Sequence, residues 1–128
     1  MADIGGKQAS RADMKKSTPP PTKADLDRFG KLYALGCIAC KLFVGHFREA
    51  AIHHLNLGGL AGQKRRGHKY TIPLCEWHHQ GYKPPWTESD AEAEFLYGPS
   101  LAKRSKAFRE TFGDDDSLLK KVNARIRK

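Results

Sequence analysis

Large apolar residues are scarce in this chain: Leu, Ile, Val and Phe together occupy 25 of 128 positions, a level at which a highly charged sequence starts to read as disordered. The shortage is uneven. Residues 1–24 contain only Ile4 from that set, so the remainder can build a core, but a thin one that calls for a cross-link. Charges interrupt every apolar run within a few residues, which excludes a helical membrane span. The opening MADIGGKQASRADMKK lacks the apolar segment of a secretion signal, so a cytoplasmic protein with no membrane partner is expected. Cysteine is rare too. Three thiols cannot all pair within one chain, and a reducing compartment disfavours disulfides, so metal ligation explains them better. The length leaves no room for a second enzyme-sized domain. Negative charge is also in short supply, with 14 Asp and Glu against 23 Lys and Arg for a net charge of +9; a polyanionic partner follows, nucleic acid ahead of a membrane surface.

Composition divides the chain at about residue 24. Residues 1–24 carry Lys7, Arg11, Lys15, Lys16 and Lys23 around Thr18-Pro19-Pro20-Pro21-Thr22 with no aromatics, the make-up of a flexible, disordered basic arm. Residues 25–128 form the expected folded domain. A helix is predicted where Leu26, Phe29, Leu32, Tyr33 and Leu35 recur at helical spacing before Gly36. Two short strands within 48–57 and 70–74 follow, joined by a mobile loop that holds Gly58-Gly59-Leu60-Ala61-Gly62 and a basic run. A brief helix over 75–82 is then predicted, followed by helices over 88–97, 100–112 and 117–126, the last capped by Asp115, Asp116 or Ser117. No internal repeat is present. The fold class is α+β, a small zinc-stapled core with flanking helices.

The informative block is Cys37-x2-Cys40, then 34 residues, then Cys75-x2-His78. A CxxC turn aims two thiolates at one point, and a second x2 pair at the start of a helix supplies the other corners of a tetrahedral zinc site. Further histidines are not used up by that zinc. His53 and His54 end a predicted strand, where neighbouring side chains point to opposite faces. His79 follows His78 on a helix, rotated about 100° from it. Together they could surround a second, open metal site with room for water and phosphate oxygens. His68, at the entry to the second strand, could reach that site or orient a neighbour; His46 reads as structural or exposed. Trp77 and Trp86 could stack on bases, but a thin core claims them first.

In order, CxxC, a paired histidine ending a strand, a loop and LCxxHH resemble the HNH group of ββα-metal nucleases. The run GHKYTIPLCEWHHQG, with YGPSLAKRSKAFRETFG and the final helix, resembles more closely the phage-encoded Ref family of RecA-dependent nucleases, over roughly residues 25–126. The resemblance implies a ββα-metal core with His54 as general base, His53 and His79 as catalytic-metal ligands, and His78 in place of the last zinc-binding cysteine. It also implies DNA and a RecA filament as partners, a bacterial host cell, and products with a 5′-phosphate and a 3′-hydroxyl. One departure stands out: the Asn usual nine residues before the final histidine is Tyr70 here, so its orienting role passes to His68, to another polar group, or is absent.

The expected cofactors are a structural zinc ion and a catalytic Mg2+, Mn2+ or Zn2+ ion, in a monomer. An imidazole with its ordinary pKa near 6.5 suits a base at neutral pH. Lys64, Arg65, Arg66 and Lys69 flank the expected groove, and Lys103, Arg104, Lys106 and Arg109 form a second run; contacts to phosphates would give little sequence preference. Two readings compete. A zinc-stapled module that binds DNA or RNA without cutting it needs the cysteines and the basic runs but has no use for His53, His54 and His79 together. A phage structural or adaptor protein would use the scaffold for protein contacts alone.

Overall fold

The computed structural model describes residues 19–55 and 67–127. Six helices and one hairpin are found among them: α1 Lys23–Leu35, α2 Ile38–Phe43, β1 Ala51–His54, β2 Thr71–Leu74, α3 Glu76–Gln80, α4 Asp90–Tyr97, α5 Ser105–Phe112 and α6 Asp115–Ile126. This is the expected α+β class. None of the described helices is long and apolar enough to cross a membrane.

Helix α1 begins inside the expected arm, because Thr22 and Asp25 cap it reciprocally: the Thr22 hydroxyl accepts from the Asp25 N–H at 3.1 Å and the Asp25 carboxylate accepts from the Thr22 N–H at 2.9 Å. Those bonds hold the Asp25 carboxyl below its ordinary value. The helix stops at Gly36, where φ is +81° and a Cβ would lie 2.6 Å from the Phe47 ring and 2.9 Å from the Arg48 carbonyl oxygen. Only glycine permits that turn, and the turn aims Cys37 inward, its N–H donating to the Arg48 carbonyl at 2.9 Å.

β1 and β2 pair antiparallel with Ala51 opposite Leu74, Ile52 opposite Pro73, His53 opposite Ile72 and His54 opposite Thr71. A two-stranded ribbon has two free edges, so Pro73 fits without removing a ladder bond. All four residues of β2 are buried. Arg28 from α1 clamps this strand to α6, donating to the Thr71 hydroxyl at 3.0 Å, the Thr71 carbonyl at 2.7 Å and the Asn123 side chain at 2.8 Å. Burial lowers the Arg28 pKa, and three acceptors satisfy the charge that burial would otherwise penalise. The core contains Leu32, Ile38, Leu55, Ile72, Leu74, Trp77, Phe108, Phe112, Leu118 and Val122, and the Trp77 indole N–H is satisfied by the Gly98 carbonyl at 2.8 Å.

Several boundaries differ from expectation. The first strand is limited to Ala51–His54. α2 was not anticipated: six residues starting within the CxxC are too few to show a period. α5 starts at Ser105 instead of residue 100, because the buried Ser100 hydroxyl accepts from the N–H groups of Ala102 and Lys103 and forms a turn of its own. The α6 cap is Asp114, whose carboxylate accepts from the Ser117 N–H at 2.8 Å, so the helix begins at Asp115. The loop glycines 58–62 and the first 18 residues lie outside the described residues.

Candidate metal centre and histidine cluster

Cys37 is the N-cap of α2, and its sulfur accepts from the Cys40 N–H at 3.4 Å; Cys75 is the N-cap of α3. Two helix starts therefore present sulfur toward one point. Cys37, Cys40, Cys75 and His78 are all buried, with donor atoms within 4.8 Å of one another. The His78 Nδ1 lies 3.4 Å from the Cys37 sulfur, 3.7 Å from Cys40 and 3.3 Å from Cys75, and the Cys40 and Cys75 sulfurs are 3.8 Å apart. Zinc–sulfur bonds of about 2.3 Å in tetrahedral geometry put donors about 3.8 Å apart, so the donor set and its spacing fit a structural zinc ion. The other His78 nitrogen is 2.8 Å from the Tyr97 carbonyl, an outer partner that fixes the ring with Nδ1 toward the sulfurs.

Each of these groups bears on the protonation of its neighbours. Hydrogen bonds to Cys37 and Cys75 push the Cys40 thiol up, and hydrogen bonds from Cys37 and Cys40 push the Cys75 thiol down. Burial lowers the His78 imidazole, but its contacts with Cys37 and Cys75 outweigh burial and push it up to about 9. Without metal, the site therefore keeps protons that a metal ion must displace.

A second constellation lies at the end of the hairpin. His53 and His54 point to opposite sides of β1, and each meets a second histidine. On one side the His53 and His79 rings are 5.0 Å apart. His79 is half-buried and its pKa is lowered, chiefly by burial, which favours the neutral form a metal ligand needs. A cleft of about 570 Å³ opens there, lined by Arg48, Glu49, Ala50, Ala51, Glu76, His79 and Gln80.

On the other side His54 Nε2 lies 3.0 Å from His68 Nδ1, and His68 Nε2 contacts the Pro19 carbonyl. A carbonyl only accepts, so in the neutral pair His68 Nε2 carries hydrogen, its Nδ1 accepts from His54 Nε2–H, and the basic nitrogen of His54 is Nδ1. The Phe29 ring packs edge-on against both imidazoles. The His68 carbonyl accepts from the Thr71 hydroxyl at 2.8 Å, and Thr71 in turn is held by Arg28. Tyr70, at the position of the absent Asn, acts through its backbone: its N–H donates to the Gly67 carbonyl at 3.1 Å and its carbonyl accepts from the Leu55 N–H at 2.9 Å. A smaller cleft of about 260 Å³ lies beside His68, lined also by Pro19, Pro20, Lys69 and Tyr70.

The remaining candidates separate clearly. Lys69 is exposed beside His68, while Lys64, Arg65 and Arg66 lie outside the described residues. Three cations of the second basic run already meet carboxylates: Lys103 with Asp90 at 2.8 Å, Arg104 with Glu94, and Arg109 with Asp115 at 3.6 Å. His46 is exposed in the loop after α2. Trp77 is buried as expected, but Trp86 is not a core residue: it is 62% exposed, because Pro84-Pro85 carries it out on a turn before α4. Sequence reasoning missed Pro19, Thr71 and Arg28 around His68, and Arg48 beside the larger cleft. Backbone carbonyls and contacts between distant residues leave no pattern in a sequence.

A family model described as "Recombination enhancement, RecA-dependent nuclease" matches residues 21–126. The matched region spans every described helix and strand.

Proposed function

The chain belongs to this family of RecA-dependent nucleases, and from that premise we propose that it is an HNH-type, metal-dependent DNA endonuclease acting at the hairpin end that carries His53 and His54. The observation that supports this reading is the division of four histidines between the two sides of that end, His53 with His79 and His54 with His68. In-line displacement at phosphorus needs the attacking water and the leaving oxygen on opposite sides. A phosphodiester laid across the end of β1 would meet His54 from one side and the His53–His79 pair from the other.

In this reading His54 Nδ1 takes the proton of the attacking water as the new P–O bond forms and the bond to the 3′ oxygen breaks. The 3′ oxygen leaves as an alkoxide and takes a proton from solvent, so the products are a 5′-phosphate and a 3′-hydroxyl. The imidazolium formed at His54 keeps its Nε2–H on the His68 Nδ1 lone pair, so His68 is a positioning residue that fixes the ring and the nitrogen that works. It takes over the role for which Tyr70 offers no side-chain amide. His53 and His79 are the residues that would hold a divalent Mg2+, Mn2+ or Zn2+ ion, which when bound supplies positive charge to the leaving oxygen. The buried Cys37, Cys40, Cys75 and His78 set would hold a structural zinc ion and takes no part in the chemistry.

Lys69, with Lys64, Arg65 and Arg66 of the neighbouring loop, would hold phosphates without reading bases. Residues 1–24, by their composition, would add salt-sensitive affinity to the folded domain that follows. The DNA is that held in a RecA filament, in a bacterial cytoplasm, and the nuclease works as a monomer. Purified protein offered single-stranded, duplex and RecA-coated DNA, with and without added divalent metal, should cut RecA-coated DNA in a metal-dependent manner. Binding without cleavage on all three would replace the enzyme with a zinc-stapled binding module.

A further inference from the structure

Trp86 is exposed yet held in place. Its indole N–H donates to the Tyr97 hydroxyl at 2.8 Å, and the Arg48 guanidinium lies over the ring, 5.3 Å from its centroid. The same guanidinium lies 5.2 Å from the Tyr97 ring. One face and one edge of the indole thus meet protein groups, yet the residue is 62% exposed, which leaves the opposite face to receive a ligand. Tyr82 and Phe95 are as exposed or more so, but neither has such a brace. Holding a large aromatic ring rigid in water gains nothing from the hydrophobic effect, since its apolar area stays wet.

The brace is built on the buried metal centre. The Arg48 carbonyl accepts from the Cys37 N–H at 2.9 Å, and the Tyr97 carbonyl is 2.8 Å from His78 Nε2. The plane of the Trp86 ring is therefore referred to the Cys37 and His78 ligands through two short links. Arg48 also lines the cleft beside His79, so the guanidinium that backs the indole belongs to a residue shared with that cleft. Among the described residues, Arg48 Nη1 is the one buried side-chain nitrogen or oxygen without a hydrogen-bond partner, and the guanidinium holds its positive charge against the indole.

We propose that the open face of Trp86, backed by Arg48, is a stacking platform for an unpaired nucleobase of the strand being cut. A rigid, exposed ring face beside a cationic group and a phosphate cleft is what a nucleotide offers a match for: a π-face joined to an anion. A base inside a duplex has neighbours on both faces, so only a single-stranded, terminal or extruded base can occupy the platform. The location of the platform rests on the nuclease reading of the His53, His54 and His79 cluster, but its occupancy is a binding property that can be read without cleavage.

The test is a titration of the full-length zinc-loaded protein with a thymidine 12-mer, without added catalytic metal, following tryptophan fluorescence. Stacking should quench wild-type emission, and Trp86→Leu, which keeps only the buried Trp77, should lose that quenching. Single-strand affinity should fall by about 5- to 150-fold in Trp86→Leu, the range for loss of one stacked base, and stay near wild type in Trp86→Phe. Affinity for a covalently closed circular duplex, which offers neither ends nor a loop, should stay near wild type in both variants. Zinc content and circular dichroism of both variants report whether the fold is kept. Undiminished single-strand affinity in a folded Trp86→Leu overturns the platform, as does an equal loss on duplex, which would make the residue structural. Loss confined to RecA-coated DNA would mark Trp86 as a protein contact and overturn it too. Absence of cleavage by wild-type protein on any DNA would refute the nuclease reading and leave the quenching result standing.

Discussion

Two clusters of metal-type ligands lie on either side of helix α3 and differ in almost every respect. Cys37, Cys40, Cys75 and His78 are fully buried and mutually within 4.8 Å. His53, His54, His68 and His79 are half-buried, stand in two pairs, and border clefts open to solvent. Adjacent residues of one helix, His78 and His79, belong one to each. A closed tetrahedral set can hold an ion and nothing else, whereas ligands that leave positions open can admit water and phosphate. In the proposed reading the first cluster holds the chain together and the second meets a substrate, and the expected effects of damage to them differ accordingly.

The largest effect is expected at the closed cluster. Structural zinc sites contribute on the order of 10 kcal/mol or more, comparable with the entire stability of a small domain. Cys40→Ser should therefore lose the zinc and most of the stability, melting far below wild type, as read by metal analysis and calorimetry. A wild-type melting temperature without metal would show that the apolar core suffices alone.

The two states of the closed cluster should also differ in pH dependence. A raised pKa stabilises the fold below the group's ordinary value and loses that contribution as pH climbs through the folded value. In metal-free protein His78, raised from 6.5 to about 9, loses its contribution across that interval, while Cys40, raised from 9.0, loses its contribution above pH 9. The lowered Cys75 has the opposite sign, gaining up to its ordinary 9.0 and losing as pH falls. The His78 and Cys75 contributions thus oppose each other below 9.0; above 9 nothing opposes the Cys40 loss. Zinc-bound thiolates have no proton to lose, so zinc-loaded protein should fail only in acid, where protons displace the metal. Melting temperatures at pH 7 and pH 10, with and without chelator, check this: the alkaline loss should appear only after chelation.

At the open cluster the effects fall on rate. His68→Ala should keep zinc and fold but slow cleavage by roughly 10- to 100-fold, the size typical for loss of an outer-shell partner, and alter the pH–rate profile, because His54 loses the acceptor that assigns its proton. An unchanged profile would reduce His68 to packing against Phe29. Smaller still is the effect of the arm. Deletion of residues 2–17 should weaken DNA engagement several-fold at low salt, with the difference shrinking as salt rises. Deletion of 2–24 should in addition slow cleavage, since it removes the α1 cap and the Pro19 carbonyl that holds His68. Identical behaviour of the two truncations would separate Pro19 from the site.

Ligand chemistry explains how much of this could be read beforehand. A tetrahedral donor set imposes short, fixed spacings on the chain, so Cys37-x2-Cys40 and Cys75-x2-His78 were legible, and strand alternation forecast that His53 and His54 would part to opposite sides. Family resemblance supplied roles that spacing alone could not. What stayed hidden depends on contacts between distant positions: the Thr71–Arg28 support of His68, the brace of Arg48 and Tyr97 that leaves Trp86 in solvent, and Ser100, whose hydroxyl turn shortens α5. Burial of an aromatic residue is a fair expectation for a thin core, and Trp86 departs from it because two prolines direct the chain outward.

The most direct test of the separation between a holding cluster and a cutting cluster is His54→Ala assayed on RecA-coated DNA alongside its zinc content. The account predicts one zinc per chain, wild-type melting and DNA binding, and cleavage reduced by about 10²- to 10⁴-fold through loss of the general base. Wild-type cleavage by a folded, zinc-loaded His54→Ala protein would contradict it.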